Sequence, residues 1–249
     1  KPTIAAASLP STALDSGTKT LYRWTVTANS NGDIGWMKVV FDVSGTIQLN
    51  DGDGNNEYYT IGAGGGPGVT TPLANSTATD GIYMGTSTVQ NQGLAKQLIA
   101  TSTMEVWDVG KAEQVNASSG SAYIYVWNNL AGGARVTFWA DAEQIVEAGT
   151  TKTYELRGDI AYGGKTGDSI STKIALRNSA TSTAALSSSN YFGSSSKWED
   201  NDQGYTTTTN TFIWSDRSGA GATHSSDTAD WLKDYKVSGL PTATLTLSR

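Results

Sequence analysis

The sequence contains no cysteine and only one histidine in 249 residues. Without cysteine the chain can form no disulfide, present no thiolate nucleophile and hold no cysteine-ligated zinc or iron–sulfur centre. The histidine, His224, lies in the sequence GAGATHSSD, and no serine of the chain has the context of a nucleophile elbow. We therefore expect His224 to be a surface loop residue and the protein not to be an enzyme.

Charge is also scarce. Charged residues make up 16% of the chain, below the roughly 25% of ordinary soluble domains. With Lys+Arg 17 against Asp+Glu 23 and a net charge of -6, the chain lacks the positive field that attracts nucleic acid or anionic membranes. No apolar run approaches the length that spans a bilayer, so we expect neither a nucleic-acid partner nor membrane insertion. The chain begins at Lys1 without a leader, which is typical of a processed or excised product.

What the sequence does contain is alternation of apolar and polar residues at the period of a β-strand. Residues 20–46 predict two strands joined by a polar turn at 29–33. One face of the first strand carries Tyr22, Trp24, Val26 and Ala28. In the second strand Met37, Val39, Phe41 and Val43 share one face, and Trp36, Lys38, Val40 and Asp42 share the other. We therefore expect a half-buried antiparallel sheet.

Further candidate strands follow at regular spacing. They lie at 104–109, 121–128, 135–140, 144–147, 151–160 and 170–176. This spacing indicates a sandwich or a barrel. Two polar stretches, about 62–103 and 178–210, interrupt the pattern, and we expect loop insertions there, the first with a short helix near 90–99.

The first fifteen residues contain Pro2 and Pro10, which exclude a central strand but suit an edge strand or an arm. Two interpretations stay open. The segment is the first edge strand of its own domain, or it is an arm that adds to the sheet of a neighbouring subunit by strand donation. In the second case the subunit contacts are made by Ile4, Ala6, Ser8 and Leu9.

The sequence NDGDGNNEYYT places oxygen-bearing side chains at every second position: Asp51, Asp53, Asn55 and Glu57. Oxygen ligands at this spacing can surround a calcium ion. The match to a calcium loop is incomplete, because Asn56 stands where a glycine is expected and Gly62 where the closing glutamate is expected. A calcium site and a solvated turn between strands are both compatible with this pattern.

Eight tryptophans give the chain a large aromatic content, and some of them must fill the interior. Those beside strongly apolar neighbours can instead lie on an outer face: Trp36, Trp107, Trp127 and Trp139. Exposed aromatic rings on a sheet stack sugars or pack subunits, and Trp36 and Trp127 are our candidates for such a ligand or partner face. Burial is the other interpretation for each ring taken singly.

The C-terminal stretch FIWSDRSGAGATHSSDTADWLKDYKVSGLPTATLTLSR has an aromatic-Ile-Trp-Ser-Asp motif, a later Trp, and Gly-Leu-Pro before a final Thr/Leu strand. Three further segments accompany it: SLPSTALDSGTKTLYRWTVTA, GDIGWMKVVFDVSG and VEAGTTKTYELRGDIA. Together they resemble the closing strands, the opening strands and the Gly-Thr-Thr-Lys-Thr hairpin of immunoglobulin-like domains in large Ser/Thr-rich bacterial surface (S-layer-like) proteins. The resemblance implies a structural surface role and brings no catalytic motif.

We therefore expect an all-β protein, an immunoglobulin-like antiparallel β-sandwich. A single elaborated domain over 16–249 would follow an arm or edge strand over 1–15. The expected function is that of an exported structural subunit of an extracellular filament or cell-surface layer, which polymerises by donating its N-terminal strand. The alternative is a carbohydrate-binding or adhesive cell-surface module that uses exposed tryptophans and calcium to bind glycans.

Overall fold

The structure is a computed structural model that describes residues 1–50, 56–61, 81–86, 96–115, 123–130, 133–176, 211–218, 224 and 230–249. This described part contains one 3-10 turn, Thr101–Thr103, and no α-helix. Its strands are β1 Pro2–Ala6, β2 Gly17–Ala28, β3 Ile34–Asn50, β4 Asn56–Ile61, β5 Gly81–Thr86, β6 Lys96–Ala100, β7 Glu105–Asp108, β8 Glu113–Gln114, β9 Tyr123–Leu130, β10 Gly133–Val146, β11 Thr151–Ile160, β12 Ser169–Ile174, β13 Phe212–Ser215, β14 Trp231–Lys233 and β15 Leu245–Ser248.

The strands form one continuous antiparallel network. Along its main path the order is β1-β2-β11-β6-β5-β4-β3-β10-β9. Strands β12 and β13 also pair with β3. β15 pairs with β12, β14 pairs with β13, and β7 pairs with β11 and β8. The network curls nearly into a barrel around an apolar interior. The predicted all-β, antiparallel class is confirmed.

Strand β2 follows its sequence pattern closely. It pairs with β11 from Thr27 opposite Thr151 to Gly17 opposite Ile160. Its β-branched and aromatic residues suit a pleated, half-buried surface, and the predicted inward face is buried: Tyr22, Trp24, Val26 and Ala28. Leu21 is buried as well, because a register shift leaves it as an extra residue between two paired neighbours.

Strand β3 departs from simple alternation at Met37. Against β13, Trp36 pairs with Trp214 and Lys38 with Ile213, so Met37 is an extra residue in the ladder. A bulge of this kind changes the face of every residue beyond it. Trp36 therefore lies on the same face as Val39, Phe41 and Val43, whereas the alternation placed it on the opposite face. That prediction is wrong, and Trp36 is 0% exposed.

The centre of the core is aromatic. Ring centroids lie 5.1 Å apart for Trp24 and Phe41 and 5.0 Å apart for Trp36 and Tyr154. Burying one such side chain stabilises the folded state by about 1.5–3 kcal/mol, and close ring pairs add about 0.5–1.5 kcal/mol. These rings come from β2, β3 and β11, so they hold the two walls of the curled sheet together.

A second, smaller apolar cluster lies on the opposite face of β3, made by Met37, Trp139, Ile213 and Trp231. Lys38 is buried beside it, with its ammonium nitrogen 5.1 Å from the centroid of the Trp139 ring. Val40 on the same face is also buried. The face of β3 that carries Lys38 and Val40 is therefore covered along this part of the strand.

Two strands occur inside the first predicted insertion. Gly81–Thr86 and Lys96–Ala100 pair with each other, with Ile82 and Met84 turned into the core. The helix expected near 90–99 is wrong over residues 96–99, which belong to a strand. Residues 62–80 and 87–95, and the whole second insertion at 178–210, lie outside the described residues.

Candidate functional site

The N-terminal strand β1 is hydrogen-bonded along both of its edges. On one side Pro2 lies opposite Ala28 and Ala6 opposite Trp24 of β2. On the other side the Ile4 amide donates to the Ser238 carbonyl at 2.8 Å, and the Ser238 amide donates to the Pro2 carbonyl at 3.2 Å. The strand therefore occupies a slot between β2 and residues 238–239, which we call the N-terminal seat.

Gly239 shapes the outer wall of the N-terminal seat. Its φ angle is +88°, a conformation that favours glycine. A Cβ atom at this position would lie 1.8 Å from the carbonyl oxygen of Ile4. The backbone of β1 can therefore approach this wall only because the residue has no side chain.

Few side chains anchor the segment that β1 belongs to. Ile4 is 1% exposed and lies in the core, whereas Ala6 and Leu9 are partly buried against it. Ser8 is exposed. The next full anchor is Leu14, which is buried and whose amide donates to the Ser248 carbonyl at 3.1 Å. Three of the four predicted contact residues, Ile4, Ala6 and Leu9, thus pack on this chain's own core, and donation to a neighbour stays a prediction.

The two ends of the chain lie at opposite ends of the sheet. Lys1 lines a cleft of about 420 Å³ with Asp33, Ile34 and Asp216, at the start of β3. Arg249 is hydrogen-bonded to the backbone of residues 167–168, and the adjacent residue 169 lies opposite residue 46 of β3. Twelve residues of strand separate positions 34 and 46, which corresponds to about 40 Å.

A cluster of charged side chains surrounds the only histidine of the chain. The Nδ1 atom of His224 lies 2.8 Å from an oxygen of Asp230, and its Nε2 atom lies 3.0 Å from an oxygen of Glu143. The guanidinium of Arg217 donates to the second oxygen of Glu143 at 2.6 Å. The hydroxyl of Ser215 donates to Asp230 at 2.7 Å. We call these five residues the His224 cluster.

The His224 cluster is built from separate elements. Glu143 lies in β10 at its irregular stretch, and its carboxylate covers Gly35 of β3, where a Cβ atom would lie 1.5 Å from the Oε1 atom of Glu143. The imidazole packs on the Trp231 ring, with a centroid distance of 5.4 Å. The His224 side chain is only 8% exposed, so its description as a surface loop residue is corrected.

The His224 cluster does not have the arrangement of a catalytic triad. The Ser215 hydroxyl donates to Asp230 and accepts from the Arg217 amide, so it does not contact the imidazole as an activated nucleophile would. Both nitrogens of the imidazole face carboxylates instead. This geometry fastens strands together.

The tryptophans proposed for an outer face have different positions. Trp36 and Trp139 are buried, so Trp36 cannot contribute to an exposed ligand face. Trp107 is partly buried, and its indole nitrogen donates to Glu105 at 2.7 Å, while the Arg157 guanidinium covers its ring at 4.6 Å. The side chain of Trp127 lies outside the described residues, and its role stays a prediction.

The proposed calcium ligands fall mostly outside the described residues. Asp51, Asp53 and Asn55 are not described, and Glu57 lies in β4 opposite Leu49, with no description of its side chain. Elsewhere, in the described ranges, no group of three or more His, Asp or Glu side chains could hold a metal ion. Calcium binding stays a prediction.

No protein-family model, no curated protein and no solved structure matches this chain. The resemblance to immunoglobulin-like surface domains therefore stays a prediction. Within the described ranges no helix has the length and apolar character needed to cross a membrane.

Proposed function

We propose that this chain is a structural, non-catalytic subunit of an extracellular filament or cell-surface layer, with an immunoglobulin-like sandwich as its body. Subunits join when β1 of one chain leaves its own N-terminal seat and occupies the seat of the next. The observation that carries this proposal is the seat itself. It holds the short strand β1 by backbone hydrogen bonds on both edges and by two buried side chains, Pro2 and Ile4.

Exchange of β1 between identical chains costs little free energy. In the neighbouring subunit the strand forms the same backbone hydrogen bonds with β2 and Ser238, and the same burial of Ile4, that it loses when it leaves its own seat. Domain swapping is for this reason a low-cost route to assembly. The balance between closed monomers and open chains then depends on protein concentration.

The position and length of the N-terminal segment suit exchange. Fully extended, residues 1–14 can span roughly 50 Å, enough to leave one subunit and enter the next. Each subunit donates β1 to one neighbour and receives β1 from another in its own N-terminal seat, so strand donation produces a head-to-tail contact. A contact of this kind gives an open fibre when its rotation does not close a ring.

A reversible covalent lock tests the proposal. The hydroxyl oxygens of Thr3 and Ser238 lie 3.0 Å apart, so a Thr3→Cys/Ser238→Cys pair in this cysteine-free chain is placed to form a disulfide across the seat. We expect the oxidised variant, locked as a monomer and then concentrated, to stay monomeric in light scattering. Reduction should restore assembly.

A matched lock elsewhere provides the control. Ser171 and Thr246 place their hydroxyl oxygens 2.8 Å apart on neighbouring strands away from β1. A Ser171→Cys/Thr246→Cys disulfide should leave assembly unchanged. Filaments formed by the oxidised Thr3–Ser238 variant would overturn strand donation.

Deletion of the N-terminal segment is a second test of strand donation. A chain without residues 1–14 should be monomeric in light scattering, because it has no strand to donate. Circular dichroism confirms that the deleted chain is folded, since deletion also removes Ile4 and Leu14 from the core. Polymers that persist after deletion would contradict the proposal.

A further inference from the structure

The two hydrogen bonds of His224 make different demands on its protonation. A neutral imidazole has one N–H donor and one acceptor nitrogen, whereas an imidazolium has two donors. Ionised carboxylates only accept hydrogen bonds. Because both ring nitrogens of His224 face carboxylate oxygens, at 2.8 and 3.0 Å, only the imidazolium can donate to both.

The charges around the imidazole favour the same form. Glu143 of β10 and Asp230 before β14 face the ring, and Arg217 after β13 is paired with Glu143. Lys38 of β3 is buried in the adjoining apolar cluster. Protonated His224 and Arg217 together balance the two carboxylates.

We propose that the His224 cluster is a pH-sensitive clasp that fastens the ends of β13 and β14 to β10. The protonated imidazole joins Glu143 and Asp230 by two charge-assisted hydrogen bonds. Loss of the proton leaves one of these bonds and turns the other contact into a repulsion between lone pairs. The ends of β13 and β14 are then held less firmly. This inference does not depend on strand donation.

The position of the clasp gives it a structural consequence. Arg217 stands between Asp216 and Ser218, and these two neighbours line the cleft that also contains Lys1. A looser clasp therefore loosens one wall of the cleft at which β1 begins. Conditions that deprotonate His224 should affect this end of the sheet and leave the far end unchanged.

Few other groups can produce a response in the relevant pH range. Histidine is the side chain whose ordinary titration falls between pH 5 and 8, and this chain has a single histidine. The α-amino group of Lys1 is the competing source, because partial desolvation, together with the Lys1 side chain and Lys236, lowers its pKa despite Asp216. Variants at His224 separate the two sources.

Hydrogen exchange at single-residue resolution tests the clasp. We measure backbone protection of residues 215–217 and 230–233 at pH 5.5 and pH 8.5, corrected for intrinsic exchange rates. In the full-length wild-type chain we expect protection to fall about tenfold at the higher pH, the equivalent of one hydrogen bond to a charged group. Protection of β12 and β15 should change much less.

Two variants decide the assignment. In His224→Gln the pH effect on residues 215–217 and 230–233 should disappear. In Glu143→Gln the pH effect should shrink, because an amide can either donate to or accept from the imidazole. This variant provides the test if His224→Gln does not fold.

Glu113→Gln, in an exposed ion pair with Lys111, is the matched control and should behave as wild type. Equal protection at both pH values in the wild type, or an unchanged pH effect in both His224→Gln and Glu143→Gln, would overturn the clasp.

Discussion

Strands β1 and β2 are neighbours in the same sheet, but they are held in different ways. β2 extends from Gly17 to Ala28, is paired with β11 along nearly its whole length, and buries a row of large side chains in the aromatic centre. β1 has five residues, and Ile4 is its one large side chain in the core. Stability within one domain is uneven, and elements with few buried contacts open first. β2 is therefore part of the structure that must stay closed, and β1 is the part that can leave.

The largest expected loss of stability follows from a substitution in the aromatic centre of the core. Trp36→Ala removes a fully buried ring that contacts Trp24, Phe138 and Tyr154, so the free energy of unfolding should fall by about 3–5 kcal/mol. Urea denaturation followed by far-ultraviolet circular dichroism measures it. Trp107→Ala, at a partly buried ring on the outer face, is the control and should cost clearly less. Equal losses would mean that the aromatic centre does not hold the sheet together.

A smaller loss is expected in β1. Ile4→Ala should lower the free energy of unfolding by about 2 kcal/mol, the low end for this substitution, because β1 can detach while the rest of the sheet stays folded. The same variant should increase hydrogen exchange in the part of β2 that pairs with β1. Ser8→Ala, at an exposed position, should change neither quantity. A loss for Ile4→Ala as large as that for Trp36→Ala would remove the contrast between the two strands.

A substitution in the wall of the seat should lower the free energy of unfolding by somewhat less than Ile4→Ala. Gly239→Ala combines a positive φ with a contact to the Ile4 carbonyl, and we expect a cost of about 1–2 kcal/mol with loosening of β1. Gly164→Ala has a similar φ of +105° but open space around the position. It reports the backbone strain alone. If both substitutions cost the same and β1 stays protected from exchange, the close approach to Gly239 has no role in holding the strand.

The smallest effect at neutral pH is expected for Tyr154→Phe, within about 1 kcal/mol of wild type. Burial raises the pKa of the Tyr154 phenol well above its ordinary value. Its contribution is therefore fully present below about pH 10, the ordinary pKa of tyrosine in an unfolded chain, and is lost as the pH rises further. In urea titrations from pH 8 to 11 the wild type should lose stability more steeply than the variant. Part of the loss should remain, because desolvation also raises the pKa of Tyr22. Parallel curves would mean that the phenol of Tyr154 reaches water.

Alternation alone predicted the strands in which it is unbroken. The strand at 151–160 has the predicted bounds, with Tyr154, Leu156 and Ile160 inside. The alternation gave the wrong face for Trp36, because one extra residue at Met37 reverses the two faces of β3 and nothing in the local composition marks a bulge. β5 and β6 were missed because each is short and lies within glycine-rich or polar sequence.

The site was predictable only in part. The contact residues of β1 form one continuous segment, and its two prolines pointed to an edge position. The His224 cluster draws on β10, the end of β13, the start of β14 and a glycine in β3. These positions are distant in sequence, so no spacing rule connects them, and only the register of β3 between β10 and β13 brings them together.

The most direct test of strand donation uses two single-cysteine chains. Thr3→Cys chains and Ser238→Cys chains are mixed as monomers, allowed to assemble and then oxidised. Because Thr3 and Ser238 meet only where β1 occupies a seat, the account predicts disulfide-linked pairs of unlike chains on a non-reducing gel. Thr3→Cys mixed with Ser171→Cys, at a partly buried position on β12 away from the seat, is the control and should give few such pairs. Assembled material with no link between Thr3→Cys and Ser238→Cys chains would contradict strand donation.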